Sequence, residues 1–338
     1  MSPQPHPETW ISPDTCGLYC APGGFYIDPH RAVDSAIVTH GHGDHARPGH
    51  GAVLATSQTI DIMKVRYGGD AGARLQSLAL GEALRINDVT VRLAPAGHIL
   101  GSAQVVIEYH GQTVVVSGDY KRRADPTCAQ FEPVPCDIFV TEATFGLPVF
   151  RHEPDDTEIS RLLASVAAFP DRAHLIGVYG LGKCQRLIAL LRAAGYDAPI
   201  WLHGALVTLC ELYEQLGVVL GPLKPFADVD RKDLAGQIVM APPGALRDRW
   251  SRRLPDPVTV FASGWMRVRQ RARQRGVELP LVLSDHADWD ELIQTIDDVK
   301  APEIWVTHGR EDALVHYIGS TGRIGRALAL VGREDEDE

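Results

Sequence analysis

Thr39–His45 reads THGHGDH, so His40, His42, Asp44 and His45 fall within six positions. The cluster directly follows Ala32–Val38, an apolar run with β-branched residues that reads as a strand, which puts the ligands on the turn leaving it. Alternate residues of an extended segment face the same way, so His40, His42 and Asp44 are expected to converge while His45 turns aside. Imidazole and carboxylate suit zinc at about 2.0–2.2 Å, with one position left open for water when the metal is catalytic. Four ligands cannot close two such sites, so the remainder must come from elsewhere in the chain.

Three further segments supply them. Leu93–Val106, LAPAGHILGSAQVV, sets His98 in a glycine-rich turn between apolar strands; Thr113–Asp119, TVVVSGD, runs a strand into a carboxylate; Glu303–Gly309, EIWVTHG, does the same with His308. Each ligand lies at or just beyond the C-terminal end of an apolar strand, where open sheets carry their sites. A lone histidine of this kind is most simply a hydrogen-bonded loop residue, but the set is too concentrated for that reading. Two metals about 3.5–4 Å apart, with Asp119 as the bridge, would suit a phosphoester displacement. Such a site needs a proton donor for the leaving alkoxide. Glu142 in VTEATF and His286 in LSDHADW occupy equivalent strand ends, and a carboxylate bonded to an imidazole keeps it protonated and oriented as a general acid.

At 338 residues and 45% hydrophobic, the chain can bury a full core as one large domain or two. No apolar run approaches the roughly 18 residues that span a bilayer, and the opening MSPQPHPETW lacks a basic end and an apolar stretch, so a cytoplasmic location is expected. The six cysteines form no CxxC pair and read as reduced thiols; Cys16 and Cys20 read as packing residues rather than ligands. The net charge of −10 argues against a polyanionic partner, yet half of that excess lies in the terminal EDEDE. Arg247–Arg275 carries nine arginines, with Arg267, Arg269, Arg271, Arg273 and Arg275 at every second position. That island fits either a phosphate track or a solvated face.

From Phe25 to about Phe145 strand follows strand, with one helix near Ser57–Tyr67. The polar stretch Phe150–Thr157 breaks this rhythm, and strands then alternate with helices through Leu279–Leu283, the pattern of a parallel α/β unit. Because His308 lies after that unit, the unit is read as an insertion: a first domain over 1–155, an insertion over 156–280, and a return over 281–338. Gly177–Cys184, GVYGLGKC, mimics a phosphate-binding loop, but Cys184 stands where a magnesium-binding hydroxyl belongs, which counts against nucleotide hydrolysis. Lys183 at that helix start could still hold a substrate phosphate. His203 reads as a cap or packing residue.

The HGHGDH cluster with Asp28 upstream, followed in order by His98, Asp119, Glu142, His286 and His308, resembles the metallo-β-lactamase superfamily, specifically its β-CASP nuclease branch. FYIDPHRAVDSAIVTHGHGDHARPG and PAGHILGSAQV look closest to bacterial ligase-associated DNA exonucleases, which are related to messenger-RNA 3′-end processing factors. The resemblance implies an αββα sandwich with an inserted α/β β-CASP domain that closes over the metals. It implies one metal on His40, His42, His98 and Asp119, and a second on Asp44, His45, Asp119 and His308. Asp28 would steady the loop, Glu142 and His286 would form the acid pair, and Lys183, Arg267, Arg269 and Arg271 are candidate phosphate contacts. The expected cofactors are two divalent ions, zinc or manganese.

The expected activity is DNA exonuclease cleavage, 5′ to 3′ by likeness, in repair beside a DNA ligase and a helicase. In the resembled family the last histidine marks RNA-processing members, where many DNA-acting ones carry valine, so His308 keeps RNA processing open. A lactonase or thioesterase would not need Glu142, His286 or the arginine island. A non-catalytic subunit with a degenerate site conflicts with the filled ligand positions.

Overall fold

In the computed structural model, residues 5–230, 233–309 and 311–330 are described, so the acidic residues 334–338 lie outside them. The chain forms two compact units: Met1–Phe150 together with His286–Glu338, and Arg151–Asp285. The second unit begins and ends five residues outside the 156–280 expected from composition.

The first unit opens with β1 (Ile11–Pro13), β2 (Leu18–Cys20), β3 (Phe25–Ile27), β4 (Ser35–Ile37), β5 (Ala52–Ala55), α1 (Ser57–Tyr67) and β6 (Arg74–Ser77). These six strands form one sheet in sequential order. There follow β7 (Ala83–Ile86), β8 (Val89–Pro95), β9 (Ala103–Tyr109), β10 (Gln112–Val116) and β11 (Ile138–Ala143).

The second unit comprises α2 (Asp155–Ala168), β12 (His174–Gly177), α3 (Lys183–Ala193), β13 (Ile200–Leu202), α4 (Gly204–Gln215), β14 (Leu223–Pro225), β15 (Ile238–Ala241), β16 (Val258–Ala262), α5 (Arg269–Arg275) and β17 (Leu279–Leu281). Its six strands pair in the order β14-β13-β15-β12-β16-β17, every pair parallel. The run of buried residues in β12, β13 and β15 suits such a sheet.

The chain then completes the first unit with α6 (Trp289–Val299), β18 (Glu303–Gly309), α7 (Glu311–Ser320) and β19 (Ile324–Ala327). The second sheet of this unit runs β19-β18-β11-β10-β9-β8-β7. Strand periodicity sorts its residues. Val105, Ile107, Val114, Val116, Ile138, Val140 and Trp305 join Ile11, Leu18, Phe25 and Ile37 in a core between the two sheets. The intervening Val106, Val115, Phe139, Ile304 and Val306 face the opposite way and pack with Leu292 and Ile296 of α6 and Leu314 and Ile318 of α7. On the outer face of the first sheet, Ile60 and Met63 of α1 cover Ala36, Val38, Val53 and Ala55. The unit is therefore an αββα sandwich. The valine-rich strands follow from this: both faces of the central strands are covered, so both must be apolar.

Candidate metal centre

β4 ends at Ile37, and the histidine loop does not stay extended. The His45 and Ala46 amides bond back to the His42 carbonyl at 3.2 and 2.8 Å, closing a turn. That turn divides the ligands into pairs. His40 Nε2 lies 3.1 Å from His42 Nδ1, while Asp44 Oδ2 lies 3.2 Å from His45 Nε2. The alternation expected of a strand therefore fails at Asp44, which sides with His45. The glycines make the turn possible: a Cβ on Gly41 would come within 2.5 Å of Ile62 Cγ2 on α1. Arg66, also on α1, donates to the Gly41 carbonyl.

Long-range elements complete the cluster. His98 Nε2 approaches His42 Nδ1 to 2.9 Å. Asp119 Oδ2 lies 3.5 Å from His40 Nε2, 3.3 Å from His45 Nε2 and 3.8 Å from His98 Nε2, so a single carboxylate oxygen faces both pairs. His40, His42, His98 and Asp119 form one group, and His40, Asp44 and His45 another, with the ligand atoms of each within 4.8 Å of one another. His308 stands further out, its ring centroid 6.2 Å from that of His45. It is delivered by an irregularity: Thr141 pairs with Val306 and Ala143 with Gly309, so Thr307 and His308 together oppose Glu142. A bulge of this kind re-aims a side chain at a sheet end. The positive φ of 63° at His308 belongs to the same distortion.

Asp28, itself at φ 44°, accepts from the Thr39 amide at 2.8 Å, the Thr39 hydroxyl at 2.6 Å and His45 Nδ1 at 2.7 Å. Because the Thr39 hydroxyl donates to Asp28, it accepts from His40 Nδ1, 3.0 Å away. One buried carboxylate thus assigns the proton to Nδ1 of both His40 and His45 and leaves both Nε2 lone pairs facing Asp119.

Burial, with His45 and His98 alongside, holds the His40 imidazole well below its ordinary pKa. Burial alone would raise Asp44 and Asp119, but His45 beside Asp44, and His45 and His286 beside Asp119, bring both carboxyls below the usual range. The donor set fits a divalent cation. Neutral imidazole nitrogens 2.9 and 3.1 Å apart present more lone pairs to one another than protons can satisfy, and tetrahedral zinc with bonds of 2.0–2.1 Å spaces its ligand atoms by about 3.3 Å.

Beside the cluster, His286 Nδ1 lies 3.0 Å from Glu142 Oε2 and 4.0 Å from Asp119 Oδ2. Glu142 is held from three sides: by His286, by the Tyr120 amide at 2.8 Å and by the Thr144 hydroxyl at 2.5 Å. Lys121, 1% exposed, donates to the His286 carbonyl at 3.0 Å and to Glu291 at 2.7 Å, and the Ala287 amide bonds the Tyr120 carbonyl. The Asp119–Lys121 segment therefore carries a candidate ligand and holds the backbone of the imidazole opposite. Sequence reasoning missed Thr39, Thr144 and Lys121. Their only sequence signal is adjacency to a chemical motif.

The phosphate candidates are arranged differently. Lys183 pairs with Asp285 at 3.1 Å and lies over the Tyr179 ring, and the neighbouring Gly182 amide is taken by the Gln185 side chain. Arg267 faces Glu153 at 3.9 Å and Arg271 stacks on Trp265, whereas Arg269 is exposed on α5. His203 caps α4, its Nδ1 accepting from the Ala205 amide. All six cysteines are free thiols, and among the described residues no helix is long and apolar enough to cross a membrane.

An αββα sandwich with a histidine–aspartate cluster at its strand ends, interrupted by a parallel-sheet unit, defines a metallohydrolase-type protein. No protein-family profile matches the chain. A protein named "Probable DNA ligase" from Opitutus terrae is 29% identical over 302 residues, covering 87% of this chain and 28% of that protein. "Endoribonuclease YSH1" of Mycosarcoma maydis is 25% identical over 90% of this chain and 44% of its own length. "Ribonuclease TTHA0252" of Thermus thermophilus is 26% identical over 93% of this chain and 88% of its own. The chain thus spans less than half of the first two relatives. A crystal structure of a protein of unknown function from Enterococcus faecalis shares the fold, with a TM-score of 0.58 and 12% identity over 90% of this chain and 80% of that one. These relatives, together with the fold, fit the metallo-β-lactamase-fold β-CASP nuclease family.

Proposed function

We propose that this protein is a metal-dependent phosphodiesterase that trims DNA from the 5′ end, in the cytoplasm, in repair steps shared with a DNA ligase and a helicase. The observation that carries the reading is Asp119: one carboxylate oxygen faces two histidine groups and lies 4.0 Å from the imidazole that Glu142 holds. His40, His42, His98 and Asp119 would hold one divalent ion, zinc or manganese, and Asp44, His45, Asp119 and His308 the other. Such ions would supply Lewis-acid charge to a phosphodiester and bring water to a nucleophilic protonation state near neutral pH.

The chain's own residues do the rest. Glu142 orients the His286 ring through Nδ1 and favours its protonated form, so Nε2 can give a proton to the departing alkoxide oxygen. Tyr120 and Thr144 fix Glu142 so that the carboxylate does not swing toward the ligands. Asp28 keeps the ligand nitrogens of His40 and His45 unprotonated.

The DNA reading is supported by the ligase-named relative. RNA is the second reading, favoured by the ribonuclease-named relatives and by His308. The deciding experiment is a time course on end-labelled DNA and RNA single strands of one sequence, with zinc or manganese. Release of labelled mononucleotide from the 5′ end of DNA is expected. Cleavage of RNA alone would move the protein to RNA processing, and inertness toward both would favour a small-molecule hydrolase.

A further inference from the structure

Charge is divided unequally between the two units. Arg151–Asp285 contains eighteen Lys and Arg against fifteen Asp and Glu, whereas the rest of the chain contains fifteen against twenty-eight. The excess gathers at Arg247–Arg275, whose acidic residues are Asp248 and Asp256; no acidic residue occurs between Asp256 and Glu278.

The structure separates the nine arginines by what each already does. Arg247 donates to the Gln274 and Arg275 carbonyls, capping the C-terminal end of α5. Arg253 lies over Phe226, Arg271 over Trp265 at 4.1 Å and Arg275 over Phe261, and Arg267 faces Glu153. These are spent on packing and pairing. Ala272 turns α5 toward Met266 and Phe261, and Arg269 and Arg273, one helical turn apart, lie together on the exposed flank beside it. Neither has an acidic partner among the described residues, and the same holds for the exposed Arg249 and Arg252, which follow just beyond the Arg247 cap.

Like charges at i and i+4 destabilise a helix, and α5 carries two such pairs, Arg269–Arg273 and Arg271–Arg275, with no glutamate or aspartate on it. A polyanion removes that repulsion. We propose that the exposed Arg269–Arg273 face of α5 is a docking surface for the phosphodiester backbone of single-stranded DNA. The proposal rests on the nucleic-acid reading and extends it. Arginines without base-reading partners position a strand without selecting its sequence. The attraction is therefore electrostatic, salt-sensitive and indifferent to base composition.

The test is the salt dependence of binding to a DNA single strand by the full metal-loaded chain, with cleavage of the same strand followed in parallel. Each phosphate of a single strand that is no longer neutralised by the protein lowers the log–log salt slope by about 0.7, so Arg269→Gln/Arg273→Gln should make it shallower by about 1.4. Arg269→Lys/Arg273→Lys should retain the wild-type slope, and Arg74→Gln/Arg85→Gln, an equal charge change on exposed arginines of the other unit, should leave it unaltered. A wild-type slope in the Gln pair, or an equal change in the Arg74/Arg85 pair, overturns the proposal while leaving the nuclease reading intact. Binding with the expected slopes but no strand cleavage would overturn the nuclease reading and sustain the surface. Failure of the wild-type protein to bind the strand overturns both.

Discussion

His286 Nδ1 lies 3.0 Å from Glu142 Oε2, although the two residues are 144 positions apart and reach each other from different strand ends. A carboxylate at that distance would favour the protonated imidazole that the proposed mechanism needs as a proton donor. His286→Ala and Glu142→Gln should each lower kcat by about 10²–10⁴-fold with little effect on KM, since a proton donor acts in the transition state rather than in binding. Steady-state kinetics on a single strand checks this. Full activity in both variants would remove the general acid from the mechanism.

Asp28 assigns the tautomers of His40 and His45, directly and through Thr39. Asp28→Asn should therefore weaken metal binding by about 10–100-fold without touching a ligand. Competition against a calibrated chelator measures it. Unchanged affinity would mean that the ligand rings are oriented by packing alone.

Gly118 occupies φ 55°, and a Cβ there would sit 2.7 Å from the Thr39 hydroxyl. Gly118→Ala combines a left-handed penalty of about 1–2 kcal/mol with displacement of the donor to Asp28. A lowered melting temperature together with reduced metal content is expected. Loss of stability alone would show that Thr39 yields without disturbing the ligands.

Lys121 and Glu291 form a buried ion pair at 2.7 Å. Burial would raise the Glu291 carboxyl, but Lys121 and the Asp288 amide bring it below the ordinary carboxylate value. A depressed folded-state pKa contributes stability above the unfolded-state value, and that contribution is lost as the pH falls through the folded-state one. Glu291→Gln should cost about 3–5 kcal/mol at neutral pH by leaving the ammonium unpaired, with the difference from wild type shrinking on acidification. Urea unfolding at several pH values gives the answer; a pH-independent difference would rule the pair out as its source.

Removing metal should abolish activity and also lower the melting temperature, because His40, His42 and His98 then face one another without a cation. Calorimetry with and without chelator, followed by re-addition of zinc or manganese, tests both effects. An unaltered melting temperature would show that the imidazoles relax apart at little cost.

Most of the chemistry was readable before the fold. Imidazole and carboxylate side chains cannot be mistaken for core residues when they stand at the ends of runs such as TVVVSGD and EIWVTHG, and a change from strand-after-strand to alternating helices and strands announced the second unit. Support residues were not readable. Thr144 and Lys121 are ordinary in composition, and their importance lies in partners 2 and 165 positions away.

The sequence by itself determined which residues carry imidazole and carboxylate groups at strand ends and which strands have two apolar faces, because those properties reside in side-chain chemistry and in the two-residue period of a strand. Tertiary structure decided how the ligands divide. The turn closed on the His42 carbonyl sends Asp44 to His45 rather than to His42, and the bulge opposite Glu142 sets the direction of His308. It also sorted the arginines, since whether a guanidinium stacks, caps or faces water depends on neighbours that α5 meets only once the chain has folded.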